Sequence, residues 1–243
     1  MLNVLITGTS RGIGRAIAKE LTARGHRVIA TARKLETLDG LDVAAKVQLD
    51  VTDQASVDAA VAAAGPVDAL VSNAGTTVRG PVETVPLDAV RDVFELNYFG
   101  ALRVTQAFLP AMRERGFGRL IYISSLLGRI TTPLMSTYSG SKWALEALVE
   151  AAAAETAQFG VRVTSLQPGG VESSDSAGAA LAAVYLTEND PYRPLLEAVT
   201  RARKAPVTAE QVATVVADTL VDPNPPLRIP VGAAALEALG APR

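Results

Sequence analysis

The sequence predicts the α/β class, a doubly wound parallel sheet forming one domain. Three observations carry this: short apolar runs alternate with helix-forming stretches, a glycine-rich loop joins the first run to the first helix, and a Tyr-x-x-x-Lys pair opens a long helix in the second half. The 243 residues suit a single domain, 1–243, and with 49% apolar and 20% charged residues a large core forms without external staples. There is no Cys, and the one His is His26. Thiol nucleophiles, Cys-based metal sites and His-centred triads are therefore excluded, no metal site is expected, and His26 reads as a surface residue without a catalytic role. A net charge of −2 without a Lys/Arg run argues against nucleic acid as a partner. No uncharged apolar stretch approaches the ~18–20 residues a bilayer span needs, and the first strand starts at Leu2, so neither a membrane segment nor a signal peptide is expected. The expected location is cytoplasmic.

Leu2 to Thr7, Arg15 to Arg24 and Arg27 to Thr31 read as strand, helix and strand. Further strands are expected at Lys46–Leu49, Ala69–Ser72, Leu120–Ser124 and Val161–Leu166, separated by helix-forming stretches. Alternation of this kind implies a parallel sheet covered on both faces. Leu87 to Met112 is one long helix or two pieces, and Tyr138 to Phe159 is a long helix closed by Gly160. The last helix is expected near Ala209–Leu220. Between them, 174–205 breaks the rhythm and is a lid candidate.

Chemistry first appears in Thr7-Gly8-Thr9-Ser10-Arg11-Gly12-Ile13-Gly14, between the first strand and helix. Backbone N–H groups and the helix dipole there can hold a pyrophosphate: Gly8 permits the tight turn, Gly12 lets a phosphate approach, and Gly14 lets helix pack on strand. This is the loop of a Rossmann-type dinucleotide site, with the spacing G-x-x-x-G-x-G in place of G-x-G-x-x-G. The second strand runs into Ala32-Arg33-Lys34, where an NAD site usually places a carboxylate. Arg33, aided by Arg11, suits the 2′-phosphate of NADP(H), which is expected over NAD(H). Arg33 and Lys34 also read as a plain solvated pair, and Glu36 is a carboxylate within reach.

Tyr138-Ser139-Gly140-Ser141-Lys142 places a phenol and an ammonium at i and i+4. A neighbouring positive charge lowers a phenol from its ordinary value near 10 and fits it for proton exchange with a substrate oxygen. Alone, such a pair is most often an ordinary surface contact. Ile121-Tyr122-Ile123-Ser124-Ser125 ends a parallel strand at the edge where open α/β sheets bind ligands.

In these motifs and their order, with Asp50-Val51, Asn73-Ala74-Gly75, Asn97 and Pro168-Gly169, the sequence resembles the short-chain dehydrogenase/reductase family over roughly Leu2 to Gly169, in its single-domain oxidoreductase branch. The resemblance implies a catalytic set of Asn97, Ser125, Tyr138 and Lys142. Ser125 would hold the substrate oxygen, with Ser124 the close alternative, and Asn97 would kink its helix and complete a proton relay through water to the lysine. It further implies cofactor contacts at Gly8, Ser10, Arg11, Gly12, Ile13, Gly14, Arg33, Asp50, Val51, Asn73, Ala74, Gly75, Tyr138, Lys142, Pro168, Gly169, Val171 and Ser173, the last standing where the family often has Thr. Hydride transfer between nicotinamide and an alcohol or carbonyl is the implied reaction, and a homodimer or homotetramer the implied assembly. A non-catalytic NADP-binding sensor or scaffold on the same fold would need the nucleotide site without Tyr138 and Lys142. Leu181, Val184, Tyr185, Leu186, Tyr192, Leu195 and Leu196 make the lid candidate apolar, which suits a lipophilic or aromatic substrate or ordinary core packing. The run Arg91 to Arg129 is similar to members acting on hydroxysteroids and retinoids.

Overall fold

Six apolar runs and a seventh, more mixed segment pair side by side, all parallel, into one sheet. The computed structural model describes residues 1–171, 183–187, 189–201 and 206–241. Its strands are β1 (Asn3–Ile6), β2 (Arg27–Ala32), β3 (Ala45–Gln48), β4 (Ala69–Ser72), β6 (Gly118–Ile123), β7 (Val161–Pro168) and β9 (Arg228–Val231), in the order β3-β2-β1-β4-β6-β7-β9. A small ribbon of β5 (Val78–Arg79) and β8 (Ala183–Val184) stands apart. The central strands carry apolar residues at successive positions because helices cover both faces; Val4, Leu5 and Ile6 are all buried. The chain leaves β1 toward β2 and β3, then returns past β1 to β4. That reversal opens a crevice at the C-terminal ends of β1 and β4.

One face carries α1 (Gly12–Ala23) and α7 (Ala209–Val221), whose Ile17, Leu21, Val212, Val216 and Leu220 bury against Val4, Ile6 and Val28. The other carries α2 (Gln54–Ala64), α4 (Gly100–Arg115) and α5 (Ser136–Thr156), with Phe108, Met112, Leu145 and Val149 on Leu5, Ile29 and Leu70. Each side chain of this size contributes about 1.5–3 kcal/mol when fully buried. Either layer alone would leave one sheet face wet.

The boundaries depart from the expectations in instructive places. Helix α1 begins at Gly12, three residues before Arg15, because the glycine loop supplies its first turn. Strand β6 starts at Gly118, where a Cβ would lie 2.8 Å from Met112, so the absence of a side chain lets α4 lie on the strand. The Leu87–Met112 segment is α3 (Leu87–Phe94), a π-helical turn (Glu95–Phe99) and α4. Helix α5 closes through a short 3-10 turn (Ala157–Phe159) into Gly160, left-handed at φ 71, where an added Cβ would sit 2.2 Å from the Gly116 carbonyl. Strand β9 and α8 (Ala233–Leu239) follow α7, so Ala209–Leu220 is not the last helix. Inside the lid candidate, β8 pairs with β5, and α6 (Arg193–Arg201) follows; Gly178 and Leu181 lie outside the described residues. His26 is half-buried, its Nδ1 accepting the Leu2 N–H at the sheet end remote from the crevice.

Candidate active site

The crevice is a cavity of about 790 Å³ lined from the glycine loop to the start of α5. Gly8, Ser10, Arg11, Gly12, Ile13 and Gly14 form one end, Arg33, Asp50 and Val51 the side under β2 and β3, and Asn73, Ala74 and Gly75 the floor after β4. Ser125, Tyr138, Lys142, Pro168, Gly169 and Val171 complete the wall beyond β6 and β7. Ser173 lies outside the described residues. Asn97 is buried behind the wall and does not line the cavity. Lys34 and Ser124, the motif neighbours of Arg33 and Ser125, also reach it, as do Thr37, Leu96 and Thr76, which no local motif distinguished in the sequence.

The glycine loop is tied down by its neighbours across the switch point. Thr7 Oγ1 accepts the N–H groups of Asn73 and Ala74, each at 2.9 Å, and Asn73 Nδ2 donates to the carbonyls of Thr7 and Gly8 at 2.9 and 3.1 Å. Gly14 sits beneath this knot: a Cβ there would meet Gly8 O at 2.3 Å and Asn73 Nδ2 at 2.5 Å. Gly12 differs, with φ 54 and nothing within 4 Å of an added Cβ. Arg11 caps α1 with extended backbone and no side-chain hydrogen bond, so the helix N–H groups face the cavity uncapped. A glycine cradle, an uncapped helix start and three cations (Arg11, Arg33 and Lys34) that make no ion pair among the described residues together fit a phosphate-bearing dinucleotide. Glu36, in the turn after β2, is not on the cavity wall. Asp50 has one carboxylate oxygen engaged by the N–H and hydroxyl of Thr52, at 3.0 and 2.7 Å.

At the other end, Ser125 Oγ accepts the Leu127 N–H at 3.1 Å, which leaves its own proton to donate. Ser124 Oγ is buried beside Gly128, without a hydrogen-bond partner among the described residues. Ser125 is the serine that reaches Tyr138. Lys142 is buried, its Nζ donating to the Ile123 carbonyl at 2.8 Å and lying 5.9 Å from the centre of the Tyr138 ring. Burial pushes Tyr138 above its ordinary value, with the Ser125 hydrogen bond opposing, and burial pulls Lys142 down to about 8, with the Glu146 carboxylate opposing. The phenol thus lies above its ordinary value, the reverse of the lowering that the Tyr–Lys spacing suggests, because its own burial outweighs the hydrogen bond from Ser125.

Asn97 braces three elements. In the π turn its Oδ1 accepts the Thr76 N–H at 2.8 Å, while Nδ2 donates to Thr76 O and to Ser141 Oγ, both at 2.9 Å; Ser141 in turn donates to the Tyr138 carbonyl at 2.8 Å. Both amide hydrogens are spent on this brace. Ser141, inside the Tyr-x-x-x-Lys motif, is the partner that sequence reading passed over. Among the described residues no three His, Cys, Asp or Glu side chains gather as a metal site would require, and no helix is long and apolar enough to cross a membrane.

A parallel sheet with a phosphate cradle at its switch point, and a tyrosine, serine and lysine meeting beside it, defines the class of nucleotide-binding α/β oxidoreductases. Within that class the chain belongs to the short-chain dehydrogenase/reductase family, whose short chain dehydrogenase profile matches residues 2–182. It is 37% identical, with a TM-score of 0.87, to a short-chain dehydrogenase from Streptomyces avermitilis, covering 98% of this chain and 92% of that one. A short chain dehydrogenase from Burkholderia cenocepacia J2315, solved in complex with NADP, is 29% identical with a TM-score of 0.80 over 97% of this chain and 90% of that one. Human 17-beta-hydroxysteroid dehydrogenase type 1 is 35% identical over 248 residues, 93% of this chain and 76% of its own length.

Proposed function

We propose that the enzyme is NADP(H)-dependent and moves hydride between the nicotinamide and a secondary alcohol or carbonyl of a lipophilic or aromatic compound, with Tyr138 as the proton-exchanging group. The observation that carries this reading is that Ser125, Tyr138 and Lys142 share one cavity with the glycine loop. When bound, the cofactor supplies or accepts the hydride. Ser125 has a free proton to hold a substrate oxygen, and Tyr138 exchanges a proton with that oxygen. A phenol raised by burial is protonated near neutral pH, which suits delivery of a proton to a carbonyl in the reductive direction. Lys142 contributes positive charge behind the ring and a donor toward the cofactor ribose. Asn97 holds Thr76 and Ser141 so that α5 presents Tyr138 at a fixed depth. Asp50, Val51, Asn73, Ala74, Gly75, Pro168, Gly169, Val171 and Ser173 are assigned to the cofactor.

Preference for NADP(H) rests on Arg33, Lys34 and Arg11 at the end of the cavity beneath β2, and on the NADP-bound Burkholderia relative. The lipophilic substrate rests on the half-buried Tyr185, Leu186, Tyr192 and Leu196 of the lid candidate and on the hydroxysteroid relative. The chain is also proposed to act in the cytoplasm and to pair through α4 and α5, where Phe99 of the preceding π turn and Trp143 of α5 are exposed; a monomer in light scattering would refute the pairing. Tyr138→Phe should lower turnover by roughly 10²–10⁴-fold with NADPH affinity kept. Near-normal turnover would refute the mechanism. Arg33→Asp should reduce the NADPH over NADH preference by roughly 10–100-fold, the worth of a charge-assisted bidentate contact. An unchanged ratio would place the 2′-phosphate elsewhere. A panel of aldehydes, ketones and hydroxysteroids with NADPH tests the substrate class, and selectivity for small polar compounds would overturn it.

A further inference from the structure

One buried charge lies outside the mechanism above. Glu146 is one turn beyond Lys142 on α5, only 4% exposed, and its carboxylate is fixed from two strands: Oε2 accepts from Ser165 Oγ of β7 at 3.2 Å and from Arg228 Nε of β9 at 3.0 Å. Its other oxygen, Oε1, is buried with no hydrogen-bond partner among the described residues. Arg228 is not committed to Glu146 alone, because its Nη2 donates to the exposed Glu150. One guanidinium shared between two carboxylates leaves Glu146 incompletely neutralised. Gly128 closes the space beside it: a Cβ there would lie 3.1 Å from Glu146 Cγ, 2.9 Å from Ser124 Oγ and 3.2 Å from the Lys142 carbonyl, so the carboxylate stem, the orphaned serine and the lysine backbone meet around one glycine. An unpaired buried carboxylate oxygen is costly, and folding tolerates it where the charge serves another group.

We propose that Glu146 is a positioning residue for Lys142: held by Ser165 and Arg228 one turn behind the lysine, its carboxylate is the counter-charge that keeps the buried ammonium protonated where it faces Tyr138. The proposal rests on the reading of Lys142 as part of the active site. The groups around the lysine are Tyr138, Ser125 and the Ile123 carbonyl on the cavity side and Glu146 on the other; around Glu146 they are Lys142, Arg228 and Ser165, with Glu150 beyond Arg228 and Arg129 near Glu150. Burial alone drives the ammonium toward losing its proton, and Glu146 is the charge that opposes this. Without it, burial would act on the ammonium unopposed and weaken the positive charge beside the phenol.

The test reads Lys142 directly. The chain has five lysines, so side-chain NMR of labelled, cofactor-free protein resolves them, with Lys142→Arg identifying the signal. In Glu146→Gln the midpoint of Lys142 should fall by on the order of one pH unit, the size expected for losing a close opposite charge, and Glu146→Asp should restore much of it. The alkaline limb of kcat/KM for NADPH-dependent reduction should move with it, while a purely packing role would lower stability and leave the midpoint in place. Should Glu146→Gln fail to fold, the exposed Glu150→Gln carries the test: releasing Arg228 to Glu146 alone should lower the Lys142 midpoint by a smaller amount. An unmoved midpoint overturns the proposal. Because the NMR midpoint is independent of turnover, an active Tyr138→Phe would fail the catalytic reading and leave this measurement standing.

Discussion

Replacing Gly14 by alanine separates the two duties of the glycine loop. A Cβ at Gly14 would stand 2.3 Å from the Gly8 carbonyl oxygen and 2.5 Å from Asn73 Nδ2, so the loop or the Asn73 side chain must move. Forcing atoms into such a packed place costs about 1–3 kcal/mol, and stranding a carbonyl that Asn73 now satisfies costs about 1–3 kcal/mol more, against a helix gain of about 0.5–1 kcal/mol for alanine over glycine. The net loss is about 3 kcal/mol, which for a chain of this length lowers the melting temperature by roughly 6–12 °C. Gly12→Ala meets no neighbour, and its cost is the left-handed backbone alone, about 1–2 kcal/mol. Its larger effect should be on cofactor affinity, because Gly12 lines the cavity. Thermal unfolding by circular dichroism and NADPH titration by fluorescence on both variants make the comparison. If Gly14→Ala melts with the wild type, or Gly12→Ala proves the less stable of the two, the assignment of packing to Gly14 and phosphate approach to Gly12 is wrong.

Asn97→Ala removes three hydrogen bonds of a buried side chain, linking the segment after β4, the π turn and α5, and should destabilise the fold by about 2–4 kcal/mol in urea unfolding; a change under about 0.5 kcal/mol would show that the brace is not needed. Stability should also depend on pH through Lys142. Its folded value of about 8 lies below the ordinary 10.5, so between these the unfolded chain holds the proton that the folded chain lacks, and stability rises with pH from about 8 by on the order of 3 kcal/mol over the full interval. Above about pH 10 the buried Tyr122, pushed up to about 12, reverses the trend as the unfolded phenol ionises first. Urea unfolding across pH 7–10 should show the rise in the wild type and lose it in Lys142→Met, and an equal rise in both would assign it to other groups.

The parts of this molecule that were legible in the sequence are those set by the local backbone. A strand ending in glycines before a helix, an extended run ending in Ser-Ser and a Tyr-x-x-x-Lys opening a helix each write their geometry into a few neighbouring residues. Motif order then placed Gly8 to Gly14, Asn73 to Gly75, Ser125 and Tyr138 around one cavity, where the structure has them. What sequence reading passed over depends on partners far apart in the chain. Thr7 holds Asn73 across 66 residues, Asn97 finds Ser141 across 44, and Arg228 reaches Glu146 across 82. Strand β9 belongs to the same group: Arg228-Ile229-Pro230-Val231 is too short and too mixed to announce itself, and it becomes a strand by pairing with β7 at the sheet edge, where a proline is tolerated.

The tyrosine and lysine show where spacing stops being informative. Four residues on a helix guarantee that a phenol and an ammonium can meet, and from that alone the lysine should pull the phenol down. Protonation depends on what each group loses on burial, and that is a property of the packed wall. In this wall both groups are desolvated and Lys142 Nζ is bonded to a β6 carbonyl, so burial is the first cause of the shift of each. The charge that opposes this on the lysine comes from behind it, from a glutamate that the same helix places one turn further on and that β7 and β9, the strands beyond β6 at the sheet edge, hold in place. The Tyr-x-x-x-Lys motif is therefore incomplete as a statement of proton chemistry in this protein, and Tyr138-x-x-x-Lys142-x-x-x-Glu146 is the unit whose charges decide which of its members carries the proton.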